Sequence, residues 1–323
     1  MRKFIIIIAG EPESVNSEII AKAWKKLKKN HRKNLIIIGN YKLIKKQLNK
    51  FKIKIHIQKI NSITEVKNKH KLPILNIPLK FKKSFKISKN ENSKYIIRCF
   101  EKAHYLATKK VINGFINCSI DKRKTFGEKK IGVTEYLSKK NKLKNDAVML
   151  IYNKKLAVAP LTTHIDVKKI SNTINLNMIV KKTNIINSYF SKLIKRKPKI
   201  AILGLNPHNS EFCKKSEEKK IIIPAINKLK KKRLNVFGPV PADTVFSNRR
   251  KYSYDVILGM YHDQVLAPFK ALYGYDAINI TLGLPYLRIS PDHGTAKDLM
   301  GLNKANCYSL LECIKFFRKN NAN

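Results

Sequence analysis

Short unbroken apolar runs alternate with helix-spaced stretches along this chain, and that alternation constrains the fold more than any other feature. Residues 4–9 read FIIIIA, 35–38 read LIII and 200–203 read IAIL. A strand with one wet face alternates apolar and polar side chains. An unbroken run is covered on both faces, as in a parallel sheet flanked by helices. Between the first two runs, Ile20, Ala23, Trp24 and Leu27 recur at helical spacing, and Lys25, Lys26, Lys28 and Lys29 fall on the opposite, wet face. Strand, helix and strand in turn predict an α/β architecture. At 323 residues the chain exceeds what one core usually supports, so two domains are expected.

Further along, Ile53, Ile55 and Ile57 predict a more exposed strand. Pro73 and Pro78 break a basic stretch over 62–94 that reads as a surface excursion with short strands. A helix is expected over 95–112 and a strand over 111–116. Residues 117–145 are polar and irregular, the composition of a mobile loop. Residues 148–152 and 156–159 predict a hairpin around Asn153-Lys154, and 166–190 a single helix. Strands are expected at 236–237, 254–260 and 278–282, and helices over 222–231, 295–300 and 308–317.

The net charge is +47, from 68 basic against 21 acidic side chains. A basic surface can neutralise nucleic-acid phosphates and release their counterions. In this chain, however, lysine rises together with isoleucine and asparagine throughout, which favours a solvated charged face over a nucleic-acid site. Such a charge still draws anionic substrates at low salt. The five cysteines, Cys99, Cys118, Cys213, Cys307 and Cys313, are odd in number and form no CxxC pair. They predict no disulfide framework and a reducing cytoplasm. The apolar run at 4–9 is too short for a secretory core and no long apolar stretch follows, so no membrane partner is expected.

The residues able to do chemistry concentrate between 254 and 298, where histidine, aspartate, glycine and proline replace the lysine-rich pattern. His164, His208 and His262 each follow a predicted strand. Ligand sites of open α/β sheets lie beyond the carboxyl ends of the strands, and three imidazoles there could share one divalent metal. No HxH or HxxxH spacing singles them out, so three ordinary hydrogen-bonding histidines remain the alternative. Asp263 and Asp243 are placed to orient imidazoles from behind, and Asp243 is also the candidate catalytic residue. Lys270 and Arg288 suit a phosphate or carboxylate, and Asn279 lies in the same stretch. Gly283, Pro285 and Pro291 around Arg288 predict a turn-rich loop. GxGxxG and GxxxxGK[ST] are both absent, so a dinucleotide needs another arrangement. Residues 290–295, SPDHGT, precede a predicted helix and offer backbone N–H groups for an anion, with capping by Asp292 or Thr295 as the alternative.

Several of these stretches occur together in one family. LGLNPH at 203–208, GPVPADT at 238–244, MYHDQ at 260–264, NITLGLP at 279–285 and DHGTA at 292–296 resemble the 4-hydroxythreonine-4-phosphate dehydrogenases, which are related in fold to isopropylmalate dehydrogenases. The resemblance implies two α/β/α domains with a cleft between them, isocitrate/isopropylmalate dehydrogenase-like. Residues 1–125 plus 286–323 would form a terminal, nucleotide-side domain, and 126–285 a central domain bearing the dimer surface and the metal. It implies oxidation of 4-phosphooxy-threonine by NAD, or NADP, followed by loss of carbon dioxide to give an amino-ketone phosphate. On the family pattern His164, His208 and His262 hold one divalent ion (zinc, magnesium or cobalt). Thr134, Lys270, Asn279 and Arg288 contact substrate, and His293, Gly294 and Thr295 hold the nucleotide. The family works as a homodimer with sites at the subunit interface.

The front half departs from that pattern. Ser14 and Asn16 stand where the family has glycines, Asn117–Lys122 keeps only the lysine of a Thr-Gly-Pro-x-x-Lys element, and Val133 replaces a substrate-contacting histidine. Asn209 and Ser210 replace small residues after His208. These changes leave open a sister dehydrogenase acting on another four-carbon acid phosphate.

Overall fold

The isoleucine runs become fully buried strands. The structure, a computed structural model, describes residues 4–66, 70–127, 132–143, 147–247, 253–274 and 276–321. The chain divides into two units, Met1–Val133 with Pro285–Asn323, and Thr134–Leu284. The family resemblance places these divisions after residues 125 and 285.

The first unit opens with five parallel strands: β1 (Ile5–Ile8), β2 (Leu35–Gly39), β3 (Ile57–Ile60), β4 (Leu72–Asn76) and β5 (Gly114–Asn117), in spatial order β3-β4-β2-β1-β5. Every β1 side chain is buried, as a strand covered on both faces requires. Each such isoleucine contributes about 1.5–3 kcal/mol by leaving water. Helix Asn16–Lys26 buries Ile19, Ile20, Ala23 and Trp24, and Lys25, Lys26, Lys28 and Lys29 are exposed as the spacing predicts.

The second unit holds β6 (Val148–Asn153), β7 (Leu156–Thr162), β8 (Ile200–Leu203), β9 (Val236–Val240), β10 (Val256–Tyr261) and β11 (Ile278–Leu282). Their order is β11-β6-β7-β10-β8-β9. β6 runs antiparallel to its neighbours β11 and β7, and β7, β10, β8 and β9 run parallel. The chain then returns to the first unit as β12 (Leu287–Pro291), parallel beside β5. The α/β expectation is borne out in both units.

Several local expectations are corrected. The excursion at 62–94 has a strand, as expected, but β4 lies buried between β2 and β3 and not at the surface. Pro73, which lacks an N–H, is tolerated as its second residue. The irregular stretch at 117–145 holds helices Lys122–Phe126 and Val133–Lys140, with 128–131 and 144–146 outside the described residues. Asp121 starts the first of these by accepting from the Lys124 N–H at 3.1 Å. The single helix at 166–190 is interrupted because Asn175 caps a new one, Leu176–Ile194, accepting from the Met178 N–H at 2.9 Å. Helix His262–Tyr273 forms despite Pro268 inside it. The expected helix at 295–300 is only a 3₁₀ turn, Lys297–Leu299. Among the described residues, no helix is long and apolar enough to cross a membrane.

Candidate active site

Three neighbouring parallel strands carry the three candidate histidines at their carboxyl ends. β10 pairs with β7 through Tyr261↔Thr162 and with β8 through Leu258↔Ile202, so all three strands end on one side of the second unit. His262 directly follows Tyr261 and is the first residue of helix His262–Tyr273. His164 lies just beyond Thr162 with a left-handed backbone, φ 54°. His208 begins five successive left-handed residues, His208 to Phe212, with φ between 47° and 56°.

The His164 and His262 rings face each other with centroids 6.0 Å apart and planes at 36°. Two imidazole nitrogens about 2.0–2.1 Å from one zinc-type ion leave their ring centroids roughly 5–6 Å apart, so this pair fits a shared divalent ion. His262 Nδ1 lies 2.6 Å from Asp263 Oδ1. A carboxylate accepts, so Nδ1 carries the proton and the Nε2 lone pair is left for a ligand. Asp263 thus makes the orienting contact expected of it, whereas Asp243, of which the same was expected, is exposed on the short helix Ala242–Val245. Among the described residues, no group of three or more His, Cys, Asp or Glu side chains is gathered around a metal position. His208 is not brought into such a group with the other two.

Two buried side chains that sequence reasoning passed over hold these strand ends. Gln264 accepts from the Met260 N–H at 2.7 Å and donates to the Gly204 carbonyl at 2.8 Å, bridging the ends of β10 and β8. Glu218, fully buried, accepts from the Leu205 and Asn206 N–H groups at 2.8 and 2.9 Å, just ahead of Pro207-His208. Burial pushes the Glu218 carboxyl up, but hydrogen bonds from Asn206 and Leu205 outweigh it and the net direction is down. A β-carbon at Gly204 would run into the Asn209 side-chain oxygen, so a larger residue there needs that side chain to move.

Of the candidate substrate residues, Thr134 Oγ1 meets Thr281 Oγ1 at 3.2 Å. Thr281 and Asn279 are two apart on β11, so they share a face. The Asn279 Oδ1 is buried without a hydrogen-bond partner, an acceptor suited to a ligand N–H or O–H. Lys270 sits on helix His262–Tyr273, half-buried. Arg288 is in the first unit and is not on a turn-rich loop. It is buried in β12, where its Nε donates to Asn117 Oδ1 on β5 at 2.7 Å. The flanking Gly283, Pro285 and Pro291 bound a short strand between two turns.

At the carboxyl ends of the first unit's strands, the two glycine replacements make their own bonds. Ser14 Oγ donates to the Glu11 carbonyl at 2.6 Å and accepts from the Asn16 N–H at 3.1 Å. Asn16 Nδ2 donates to the Ser119 carbonyl at 2.9 Å. Glu11 beside them is buried, which pushes its carboxyl up, while the Asp121 N–H and Asn92 amide bonded to it pull the other way. The Thr295 carbonyl accepts from the Val15 N–H at 3.3 Å. No helix starts at 290–295, which corrects the helix-start anion site expected there; Ser290 and Pro291 belong to β12. His293 Nδ1 bonds the Gly294 carbonyl at 2.9 Å and so carries the proton. Its Nε2 is then an acceptor, buried and unpartnered. Burial holds the ring below the usual histidine range, hence neutral. A buried open acceptor fits a nucleotide amine or hydroxyl.

A family model described as pyridoxal phosphate biosynthetic protein PdxA matches residues 31–317. A 4-hydroxythreonine-4-phosphate dehydrogenase from Sulfurihydrogenibium is 37% identical over 315 residues, 96% of each chain. The chain belongs to this family. Membership makes it an oxidoreductase, a dehydrogenase of pyridoxal phosphate biosynthesis. The family also reaches a D-threonate 4-phosphate dehydrogenase from Salmonella typhimurium, 31% identical over 97% of each chain. The solved 4-hydroxythreonine-4-phosphate dehydrogenase from Klebsiella pneumoniae superposes with a TM-score of 0.84 at 27% identity, covering 99% of both chains. An isocitrate dehydrogenase from Methylococcus capsulatus shares the fold alone, with a TM-score of 0.53 at 10% identity, covering 99% of this chain and 86% of that one.

Proposed function

We propose that the chain oxidises 4-phosphooxy-L-threonine with NAD or NADP and that the product decarboxylates to 3-amino-2-oxopropyl phosphate, for pyridoxine 5'-phosphate synthesis. One observation carries the reading: β7, β10 and β8, adjacent and parallel, are each followed by one histidine of the family pattern, two, one and five residues beyond the strand. His164, His208 and His262 would hold a divalent ion such as zinc, magnesium or cobalt. When bound, that ion polarises the substrate's alcohol oxygen and then the ketone oxygen, and the nicotinamide accepts the hydride.

The chain's own residues place and discharge the substrate. Asp263 fixes the His262 ring, and Thr134 is held by Thr281 on the face of β11 that carries Asn279. The open Asn279 acceptor receives a substrate hydroxyl or amine proton, and Lys270 and Arg288 meet its anionic groups. Asp243, exposed, takes the hydroxyl proton as the carbon-bound hydrogen leaves with its electron pair. Loss of carbon dioxide from the 3-oxo acid leaves an electron pair on carbon, which takes up a proton. His293, Gly294 and Thr295 line the nucleotide side, with the His293 Nε2 as acceptor.

The working form is proposed to be a cytoplasmic homodimer with sites at the subunit interface. Ile165 follows His164 directly, Val167 is 75% exposed and Phe212 is exposed four residues beyond His208. These are apolar groups a second copy would cover.

The test is NADH formation by purified protein with 4-phosphooxy-L-threonine and added cobalt, magnesium or zinc. Metal-dependent turnover that His262→Ala abolishes is the expected result. Val133, in place of a family histidine, favours a second reading with D-threonate 4-phosphate as substrate. Turnover of that compound, with none of the phosphooxy-threonine, replaces the first reading by the second.

A further inference from the structure

His164 occupies a left-handed backbone position, φ 54°, without being glycine. Such a conformation is strained for a residue with a β-carbon and persists only where surrounding contacts over-determine it. On one side the end of β7 is held by β10, through Tyr261↔Thr162 and a bond from Thr162 Oγ1 to the Met260 carbonyl at 2.7 Å. On the other side its register with β6 covers only Leu156, Ala157 and Val158. Two charged side chains from other elements reach this end.

The first is Lys182, on helix Leu176–Ile194. Its Nζ donates to the Leu161 carbonyl at 2.6 Å. The second is Glu135, the neighbour of Thr134 on helix Val133–Lys140. Its Oε1 accepts from Thr163 Oγ1 at 3.1 Å. Thr163 is the residue before His164. Burial pushes the Lys182 ammonium below the usual lysine range and attraction to Glu135 pulls it back, so the two charges act on each other. An ammonium drawn out of water is costly, and an apolar side chain of similar length would fill the space without that cost. What the charge adds is direction: a short bond to one carbonyl.

We propose that Lys182 and Glu135 are positioning residues that clamp 161–163 and thereby fix where the His164 ring lies. Through Glu135 the clamp also ties the helix carrying Thr134 to the turn carrying His164. Two of the candidate contacts to substrate and metal then move as one body. The inference rests on His164 belonging to the proposed site.

The experiment compares the full-length protein with Lys182→Met and Thr163→Val, the second removing only a hydroxyl. Three quantities are read: amide hydrogen exchange over 160–166, cobalt affinity of the protein alone, and steady-state kinetics. In each variant exchange is expected to speed up at least tenfold. Cobalt affinity and kcat are expected to fall about 10–100-fold, with KM changing less than threefold and the melting temperature held. The double variant is expected to be no worse than the worse single one, since both act on one segment. Unchanged exchange, or faster exchange with unchanged kcat and cobalt affinity, overturns the clamp. His164→Ala separates this from the site reading. If that variant keeps wild-type cobalt affinity and turnover, the site reading fails, while exchange in the other two still decides whether the clamp exists.

Discussion

The Arg288 Nε donates to the Asn117 Oδ1 at 2.7 Å, joining β12 to β5 inside the first unit. Both residues are almost fully buried, Arg288 at 3% and Asn117 at 2% exposure. A guanidinium placed this deep needs its acceptor. Asn117→Ala is expected to cost about 1.5–3 kcal/mol, the worth of a hydrogen bond to a charged group. If Arg288 meets the substrate's anionic groups, the same change raises KM. Urea melts and steady-state kinetics read the two effects separately, and an unchanged KM removes Arg288 from the substrate contacts.

Glu218 makes stability depend on acid. Its folded-state pKa lies below the ordinary carboxylate value, because bonds from the 205–206 peptides and the Asn206 amide outweigh burial. A depressed carboxylate contributes its stability in full above the unfolded pKa, about 4.3, and loses it as pH falls through the folded value. Glu218→Gln is therefore expected to lower the thermal midpoint at pH 7. The gap to wild type should close as pH drops below about 4. Midpoints measured across pH 3–7 that keep a constant gap contradict this.

Gln264 spans two strand ends, so its loss strands two backbone groups at once. Gln264→Leu leaves the Met260 N–H and the Gly204 carbonyl without this partner. Each buried unsatisfied group costs about 1–3 kcal/mol. A large fall in melting temperature is expected, accompanied by lower divalent-metal affinity, because His262 and the loop to His208 leave these same strand ends. Calorimetry and metal titration check both.

The thiols differ sharply in access. Cys213 is exposed, whereas Cys99, Cys118, Cys307 and Cys313 are buried. Burial pushes the Cys118 thiol up to about 12, and those of Cys99 and Cys313 up as well. Thiolate is the reactive form. One fast equivalent per chain is expected from a disulfide reagent under native conditions, none from Cys213→Ser, and the other four only after denaturation.

The parallel cores were legible because an apolar run such as FIIIIA has no reading as an amphipathic element. Strands beside prolines were not. Pro73 sits inside β4 and Pro291 ends β12; the first segment reads as surface strands and the second as a loop, because proline removes a ladder donor. Helix His262–Tyr273 was hidden in the same way by Pro268. At the site, motif letters pointed to His164, His208 and His262, and fold geometry faces two of those rings toward each other. Glu218, Gln264, Glu135 and Lys182 were invisible for a different reason. Each is one of many like residues in the chain, and what distinguishes it is a tertiary partner. No spacing rule reports such a partner.

β1 and β2 pair as Ile5↔Leu35, Ile6↔Ile36, Ile7↔Ile37 and Ile8↔Ile38. Sliding one strand by a residue would again set isoleucine against isoleucine at nearly every rung, and both faces are covered, so a slip exposes nothing. Side-chain identity therefore does not choose the alignment. That choice falls to the ends, where the Ile5 N–H meets the Asn34 carbonyl, the Ala9 N–H meets the Ile38 carbonyl and Gly39 admits the Ala9 methyl. A nascent copy thus has near-equivalent pairings to sort through before the right one locks. The end contacts, and not the side chains between them, carry the information that sets this alignment.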